Sequence, residues 1–278
     1  MGATPNFVPT IWSTKILRTL EDNLVAKKIC SREHEGEIKK AGDTVKFNGL
    51  SDPTINNYNG TVNYETLKDA GLVMVIDQQK YFAFKVDDID KAQTNIDEKG
   101  SQASRAAYGL REVADTFILS KYVDALNLVS GTITTANVLS KVGAVRQKLA
   151  ERNVPETDMF MVIPPWLQLK IELAGVKFQI NNGINGTGGM AWAKVMGLDI
   201  FVTNQVINTG TVDTPISQCL AGAYNSIVYA DQIVETEHLR LESQFADAVR
   251  GLHVYGGKTI RPDLLVNAAF TFGAETEI

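Results

Sequence analysis

The stretch NIDEKGSQASRAAYGLREVADTFILSKYVDALNLVS, residues 95–130, decides how the rest of the chain is read. Ala103, Ala106, Leu110, Val113 and Phe117 recur at spacings of three and four, and Ala107, Ala114 and Ile118 widen that stripe. The pattern predicts one apolar face on a helix of period 3.6. Arg105, Arg111, Glu112 and Asp115 fall on the opposite side, and Asp97 and Glu98 stand where a helix N-terminus favours negative charge. About thirty residues at 1.5 Å each would make a helix of roughly 45 Å, longer than the three or four turns usual in globular proteins. The alanine-rich first half would admit a second backbone at close range, and the bulkier second half would anchor in a core. On periodicity alone, an ordinary long helix in an α+β protein fits equally well.

With 278 residues and 44% hydrophobic content, the chain can bury one large core or two modest ones. A formal charge of -5 speaks against a nucleic-acid binder that works through a basic face. Cys30 and Cys219 are too few for a disulfide framework and fit a reducing compartment. Residues 1–10 lack both the basic segment and the apolar run of a secretory signal. No apolar stretch approaches the roughly 18 to 20 residues that a bilayer span requires, so no membrane partner is expected. A soluble, intracellularly made protein is the expectation.

Residues 1–9 are small, polar and punctuated by proline, and read as an extended arm. Trp12 to Lys28 carries a helical pattern, with Ile16, Leu20, Leu24 and Lys27 in line and Leu17 and Val25 alongside. From Gly42 to Asp90 the period becomes two: Val45 and Phe47, Val62 and Tyr64, then VMVI at 73–76 and YFAFKV at 81–86. Asn48-Gly49, Asn59-Gly60 and 77–79 are the expected turns of a long ribbon. Two-stranded ribbons are marginal alone, so either neighbouring molecules or the rest of the chain must complete its packing.

After the long helix a break is expected at 130–132, with Thr134 or Thr135 capping a second helix to about Glu151. Val138, Val142, Val145 and Leu149 form its stripe. DMFMVIPP at 158–165 reads as a buried strand, Trp166 to Leu173 as a short helix, and 199–203 as a strand. Residues 221–230 read as one apolar run with a core strand at 224–229, and 251–270 as strand, Gly256-Gly257 turn and last strand. No internal repeat and no separating linker is present.

Short-range signals for chemistry are weak. Gly186-Thr-Gly188-Gly-Met-Ala191 matches a loose glycine-rich dinucleotide pattern, but AWAKVM stops at Gly197 before it can make the helix such a loop opens. Glu235 and His238 have the Glu-x-x-His spacing of a carboxylate-bridged metal site in only one copy, so solvent-facing side chains are expected there. Asp88 and Asp90 begin like a calcium loop, but Gln93 replaces its required glycine. No serine has a Gly-x-Ser-x-Gly context and neither cysteine has a histidine beside it in sequence, so no catalytic residue, cofactor or metal is assigned. Asn59 and Asn185 head formal glycan acceptors that should stay bare in the cytosol.

Taken in order, the elements resemble the major capsid proteins of tailed bacteriophages, the Hong Kong 97-type shell fold. The resemblance rests on GDTVKF at 42–47, YFAFKVDDIDKAQ at 81–93, ADTFILSKYVDAL at 114–126 and DMFMVIPP. The most specific part is the closing block, YNSIVYADQIVETEHLRLESQFADAVRGLHVYGGKTIRPDLLVNAAF at 224–270, with YG and RPD before the final strand. The resemblance implies an α+β fold in five parts: an arm and short helix at 1–41, an extended hairpin loop at 42–90, and a peripheral domain with the spine helix at 91–160. An axial domain at 161–255 and a returning strand at 256–278 complete it.

It further implies a non-enzymatic subunit of an icosahedral or prolate virion head, assembled in host cytoplasm as hexamers and pentamers. Expected partners are a separate scaffolding protein, a portal protein, a decoration protein in some heads, and double-stranded DNA contacted without sequence preference. Residues implied in assembly contacts are Phe7 and Trp12 of the arm, Lys46, Phe47, Tyr64, Lys80, Phe82 and Phe84 of the ribbon, and Arg240, Glu242 and Arg250 near the end. Some relatives crosslink a ribbon lysine to a neighbouring asparagine; Lys46, Lys68 and Lys80 are present, but nothing in the sequence marks the required acid. The shell of a cellular, encapsulin-like nanocompartment and a soluble ligand-binding or enzymatic domain are the other readings.

Overall fold

The structure is a computed structural model that describes residues 25–31, 44–47, 57, 71–87, 98–175, 193–240 and 246–274. In chain order it holds helix α1 (Ala26–Ile29), strands β1 (Thr44–Phe47), β2 (Leu72–Val75) and β3 (Gln78–Asp87), and helix α2 (Glu98–Leu119). Strand β4 (Asn127–Ile133), helix α3 (Val138–Ala150), strand β5 (Met159–Ile163) and helix α4 (Pro165–Leu173) follow. The strands β6 (Ala193–Val195), β7 (Leu198–Val202), β8 (Ile207–Gly210), β9 (Pro215–Ala223), β10 (Ile227–Arg240), β11 (Ala246–Thr259) and β12 (Leu265–Phe272) complete the described elements, with a 3-10 turn at Pro262–Leu264 before β12.

The described strands form three sheets. A seven-stranded sheet has the order β4-β12-β9-β5-β7-β6, with β8 paired to β9. It is mixed, because β4 runs parallel to β12 and β5 parallel to β7. A second sheet has the order β10-β11-β3, all antiparallel, and β1 and β2 form a short ribbon. Each of β10 and β11 is 14 residues long, so this sheet extends about 46 Å at 3.3 Å per residue.

Local sequence explains several elements directly. Val138, Val142, Val145 and Leu149 of α3 are all fully buried, as their spacing requires. MFMVI of β5 is buried on both faces, which is why it reads as a continuous apolar run rather than an alternating one. It stops where Pro164 sits extended and Pro165 opens α4, a position that tolerates the missing N–H. Beyond α3, Asn153 adopts φ +59, a left-handed conformation that asparagine accepts, and turns the chain before Val154-Pro155.

Several expectations change. Over the described residues the long helix runs for 22 residues, about 33 Å at 1.5 Å per residue, and is followed by a 3-10 turn at Ser120–Asp124. What reads as its continuation and break, 127–133, is β4, held parallel to β12 by a pairing more than a hundred residues away in sequence. The buried face of α2 is also rotated: Leu110, Ala114, Ile118 and Leu119 are buried, Val113 is 41% exposed, and Asp115, expected on the charged face, is 1% exposed. Tyr108 is exposed, and the side chains of Ala103, Ala107 and Arg111 lie outside the described residues.

Two more changes lie in the closing block. The run 221–230 is two strands belonging to different sheets, with the corner at Ser226. Its N–H and Oγ both donate to the Ala223 carbonyl, at 3.0 and 2.6 Å, and its own carbonyl accepts the N–H groups of Ile260 and Arg261. Gly256-Gly257, expected as a turn, lies inside β11. A Cβ on Gly256 would stand 2.9 Å from Ile76 Cδ1 and from the Val75 carbonyl oxygen, and one on Gly257 would stand 2.8 Å from Ile118 Cδ1. The pair is there to let the ribbon and α2 approach the two faces of β11. Asn137, rather than Thr134 or Thr135, stands at the N-cap of α3, with its side chain turned back on β4 and the Thr134 amide.

Candidate assembly surfaces

The three-stranded sheet offers two unlike faces because strand side chains alternate. Val249, Gly251, His253, Tyr255 and Gly257 of β11 share one face, on which Ile118 of α2 comes against Gly257 and Phe117 packs edge-on to Tyr255 with ring centres 5.4 Å apart. Phe82 and Phe84 belong to this face, paired in register with Gly251 and Val249 and stacked at 6.2 Å. The Phe82 ring occupies the space a side chain at Gly251 would need.

On the other face, β2 covers only part of the sheet. Met74 and Ile76 pack there on Val228, Ala230 and Val254. Beyond that cover lies an open apolar groove of about 410 Å³, floored by Ala83, Gly251 and Leu252 with Tyr81 at its side. Tyr81 is 80% exposed. Arg250 and Glu237, directly paired across β11 and β10, form an ion pair at the rim. A second apolar surface lies on the seven-stranded sheet, where the exposed Leu169 and Leu173 of α4 are on the helix that presents Trp166 to Phe272 at 5.7 Å. There Trp166 Nε1 donates to Ser217 Oγ, which donates to Asn208 Oδ1.

Where α1 crosses the long sheet, three charged or titratable side chains are buried together. Lys27 Nζ lies 2.9 Å from Asp231 Oδ1, and His253 Nε2 lies 3.2 Å from Asp231 Oδ2. Burial pushes the Asp231 carboxyl up, but the hydrogen bond from His253 and the charge and hydrogen bond of Lys27 outweigh it and leave it below its ordinary range. Asp115 of α2 accepts the Ala26 N–H at 3.1 Å, a carboxylate at the start of α1. Ser31 then joins β10 as a parallel bridge to Val228, exchanging backbone bonds with Ile227 and Tyr229. Helix α1, helix α2 and the long sheet are thus tied at one point.

Of the residues implied by resemblance, Phe82 and Phe84 are half-buried beneath the sheet, Lys80 is exposed, and Arg240 and Arg250 are exposed on β10 and β11. Lys46 and Phe47 pair in register with Val73 and Leu72, and their side chains lie outside the described residues. Phe7, Trp12, Tyr64, Lys68 and Glu242 lie outside them too, as do His34, Asp88, Asp90, Asn59, Asn185, the side chains of Glu235 and His238, and Gly186 to Ala191. Residues 193–195, within the AWAKVM run that is too short for a phosphate-loop helix, form strand β6. Burial pushes both cysteine thiols far up, Cys30 also through the charge of Asp115, so they act as packing groups. Among the described residues no group of three or more His, Cys, Asp and Glu side chains is placed to hold a metal ion.

Asp231, His253 and Tyr81 escaped sequence reasoning as site residues. Lys27 carried the one available signal, a lysine near the line of an otherwise apolar helical stripe.

No family model and no curated protein matches the chain. Solved structures do. One from Mycobacterium phage Che8 is similar at 26% identity and a TM-score of 0.69, over 88% of this chain and 91% of that one. The capsid of Ralstonia phage GP4 is similar at 12% identity and 0.67, over 90% and 88%. A virus-like particle from Pyrococcus furiosus is similar at 11% identity and 0.60, over 93% and 98%. Coverage this complete in both directions means that the whole architecture is shared rather than one sheet of it. A spine helix laid along a long antiparallel sheet, a ribbon on that sheet's other face and a separate mixed sheet, matched across the chain, identify this protein as having the Hong Kong 97-type capsid shell fold.

Proposed function

We propose that this protein is the major capsid protein of a tailed double-stranded DNA bacteriophage and builds the icosahedral or prolate head from hexamers and pentamers. The observation that carries the reading is the near-complete coverage, in both directions, between this chain and phage capsid structures. The open groove beside Tyr81 supports it, since exposed apolar surface next to a polar rim marks a contact still to be made. In this reading the ribbon and the arm reach neighbouring subunits, and the lobe around α4 meets its copies near the capsomer axis. Lys80, Arg240 and Arg250 stand at subunit contacts, together with Phe7, Trp12, Lys46, Phe47, Tyr64 and Glu242. Phe82 and Phe84 shape the sheet beneath the groove. The five-part division into arm, extended loop, peripheral domain, axial domain and returning strand belongs to the same proposal.

The role is structural, and the partners are further copies of the chain, a separate scaffolding protein, a portal protein and packaged DNA, with a decoration protein in some heads. Assembly takes place in host cytoplasm. A mildly acidic subunit suits a container, because a strongly basic lining would hold DNA that must be pumped in and ejected. The likeness to the Pyrococcus furiosus particle favours a second reading, the shell of a cellular compartment. Negative-stain microscopy of the purified protein, alone and with its scaffolding partner, tests the proposal. Closed shells support both readings, and DNA rather than protein cargo inside native particles selects the first. A compact monomer or dimer under all conditions contradicts both.

A further inference from the structure

Strand β4 is an edge of the seven-stranded sheet among the described residues, and at seven residues it is long enough to template another strand. In a parallel pair, successive residues turn their backbone groups alternately toward the partner and away from it. The Ile133 carbonyl accepts the Gly273 N–H beside β12, so the odd-numbered residues of β4 bond inward. Leu128, Ser130 and Thr132 therefore direct their N–H and C=O groups outward.

Two of those three outward carbonyls are already taken. The Ser130 carbonyl accepts a hydrogen bond from Lys141 Nζ at 3.0 Å, and the Thr132 carbonyl accepts one from Asn137 Nδ2 at 3.0 Å. Asn137 Oδ1 also accepts the Thr134 N–H at 2.9 Å, which fixes the orientation of the amide. At these distances both donors occupy the positions that N–H groups of an added strand would take. The arrangement depends on Gly131, whose φ is +149 and where a Cβ would stand 2.7 Å from Lys141 Nζ. A side chain there would displace the ammonium.

We infer that the β4 edge is a strand-addition site held closed by Lys141 and Asn137, which bars an extended segment of a second copy of this chain from joining the seven-stranded sheet. The device restricts copies to contacts made elsewhere on the molecule. For a protein held at high local concentration, that restriction separates ordered assembly from edge-to-edge aggregation. The inference stands on the geometry of β4 alone and holds whichever shell the subunit builds.

Two experiments test it. Hydrogen exchange on the intact protein, before and after assembly, should show Leu128, Ser130 and Thr132 amides exchanging as open groups while Val129 and Gly131 are protected. Equal protection of all five in the assembled protein would mean a strand is paired there and would overturn the inference. The double variant Lys141→Ala/Asn137→Ala should self-associate at about tenfold lower concentration than the parent, the effect of roughly one hydrogen bond. Adding Ser130→Pro, which removes an outward donor, should reverse this. Association that Ser130→Pro leaves intact, or a folded double variant that associates no more than the parent, counts against it. Should the double variant fail to fold, the exchange pattern of the parent decides.

Discussion

The ammonium of Lys27 lies 2.9 Å from the Asp231 carboxylate with only 5% and 4% of the two side chains exposed. This is the polar fastening between helix α1 and the long sheet. Removing one partner of such a pair strands the other charge in a medium that cannot solvate it. Lys27→Met should therefore destabilise the subunit by about 3 to 5 kcal/mol, whereas Lys27→Met with Asp231→Leu should recover much of that loss. Urea unfolding of the variants, followed by far-UV circular dichroism, measures both.

The same carboxylate predicts an acid limit. Asp231 is held below its ordinary value of 3.8 in the folded protein. Its stabilising contribution is fully present above that ordinary value and is lost as pH falls through the lower folded value. Stability should therefore drop with acidification below about pH 4. In Asp231→Asn, already weaker at neutral pH, the slope over that range should be shallower. Unfolding midpoints at intervals between neutral pH and pH 2 give the comparison.

Gly257 carries a steric prediction. A methyl group there would meet Ile118 Cδ1 at 2.8 Å and Phe117 Cε1 at 3.3 Å, so the helix or the strand must yield. Gly257→Val should destabilise by about 1 to 3 kcal/mol, the usual range for overpacking. Ile118→Ala in the same chain should relieve the clash, and a double-mutant cycle in thermal unfolding would show the coupling.

The groove predicts the opposite pattern. Tyr81 is mostly exposed and Leu252 half-buried, so Tyr81→Ala should change subunit stability by no more than about 0.5 kcal/mol. Assembly, followed by light scattering, should nonetheless be slowed or abolished, because the ring supplies contact area that only a neighbour can bury. Unchanged assembly would remove the groove from the set of subunit contacts.

How far the fold was legible depended on the range of the interaction that decides each element. The α3 stripe and the β5 run are local patterns, and both appear where the spacing puts them. The order of the closing block carried the overall architecture. Features set by distant partners were not legible. Asp115 reads as a surface acid until α1 supplies the Ala26 N–H, and 127–133 reads as helix tail until β12 pairs with it. Gly256-Gly257 has the composition of a turn, and only the approach of Ile76 and Ile118 makes it the interior of a strand. His253 offered no signal at all, because its partner on β10 is placed by the register of a 14-residue strand that contains an irregularity at 233–235.

Electron cryomicroscopy of particles formed by the purified protein tests the central claim most directly. The expected particles are closed shells of five- and six-fold capsomers in which a neighbouring chain covers the Tyr81–Leu252 groove. Particles in which that sheet face stays bare, or a protein that never advances beyond a compact monomer or dimer, would contradict it.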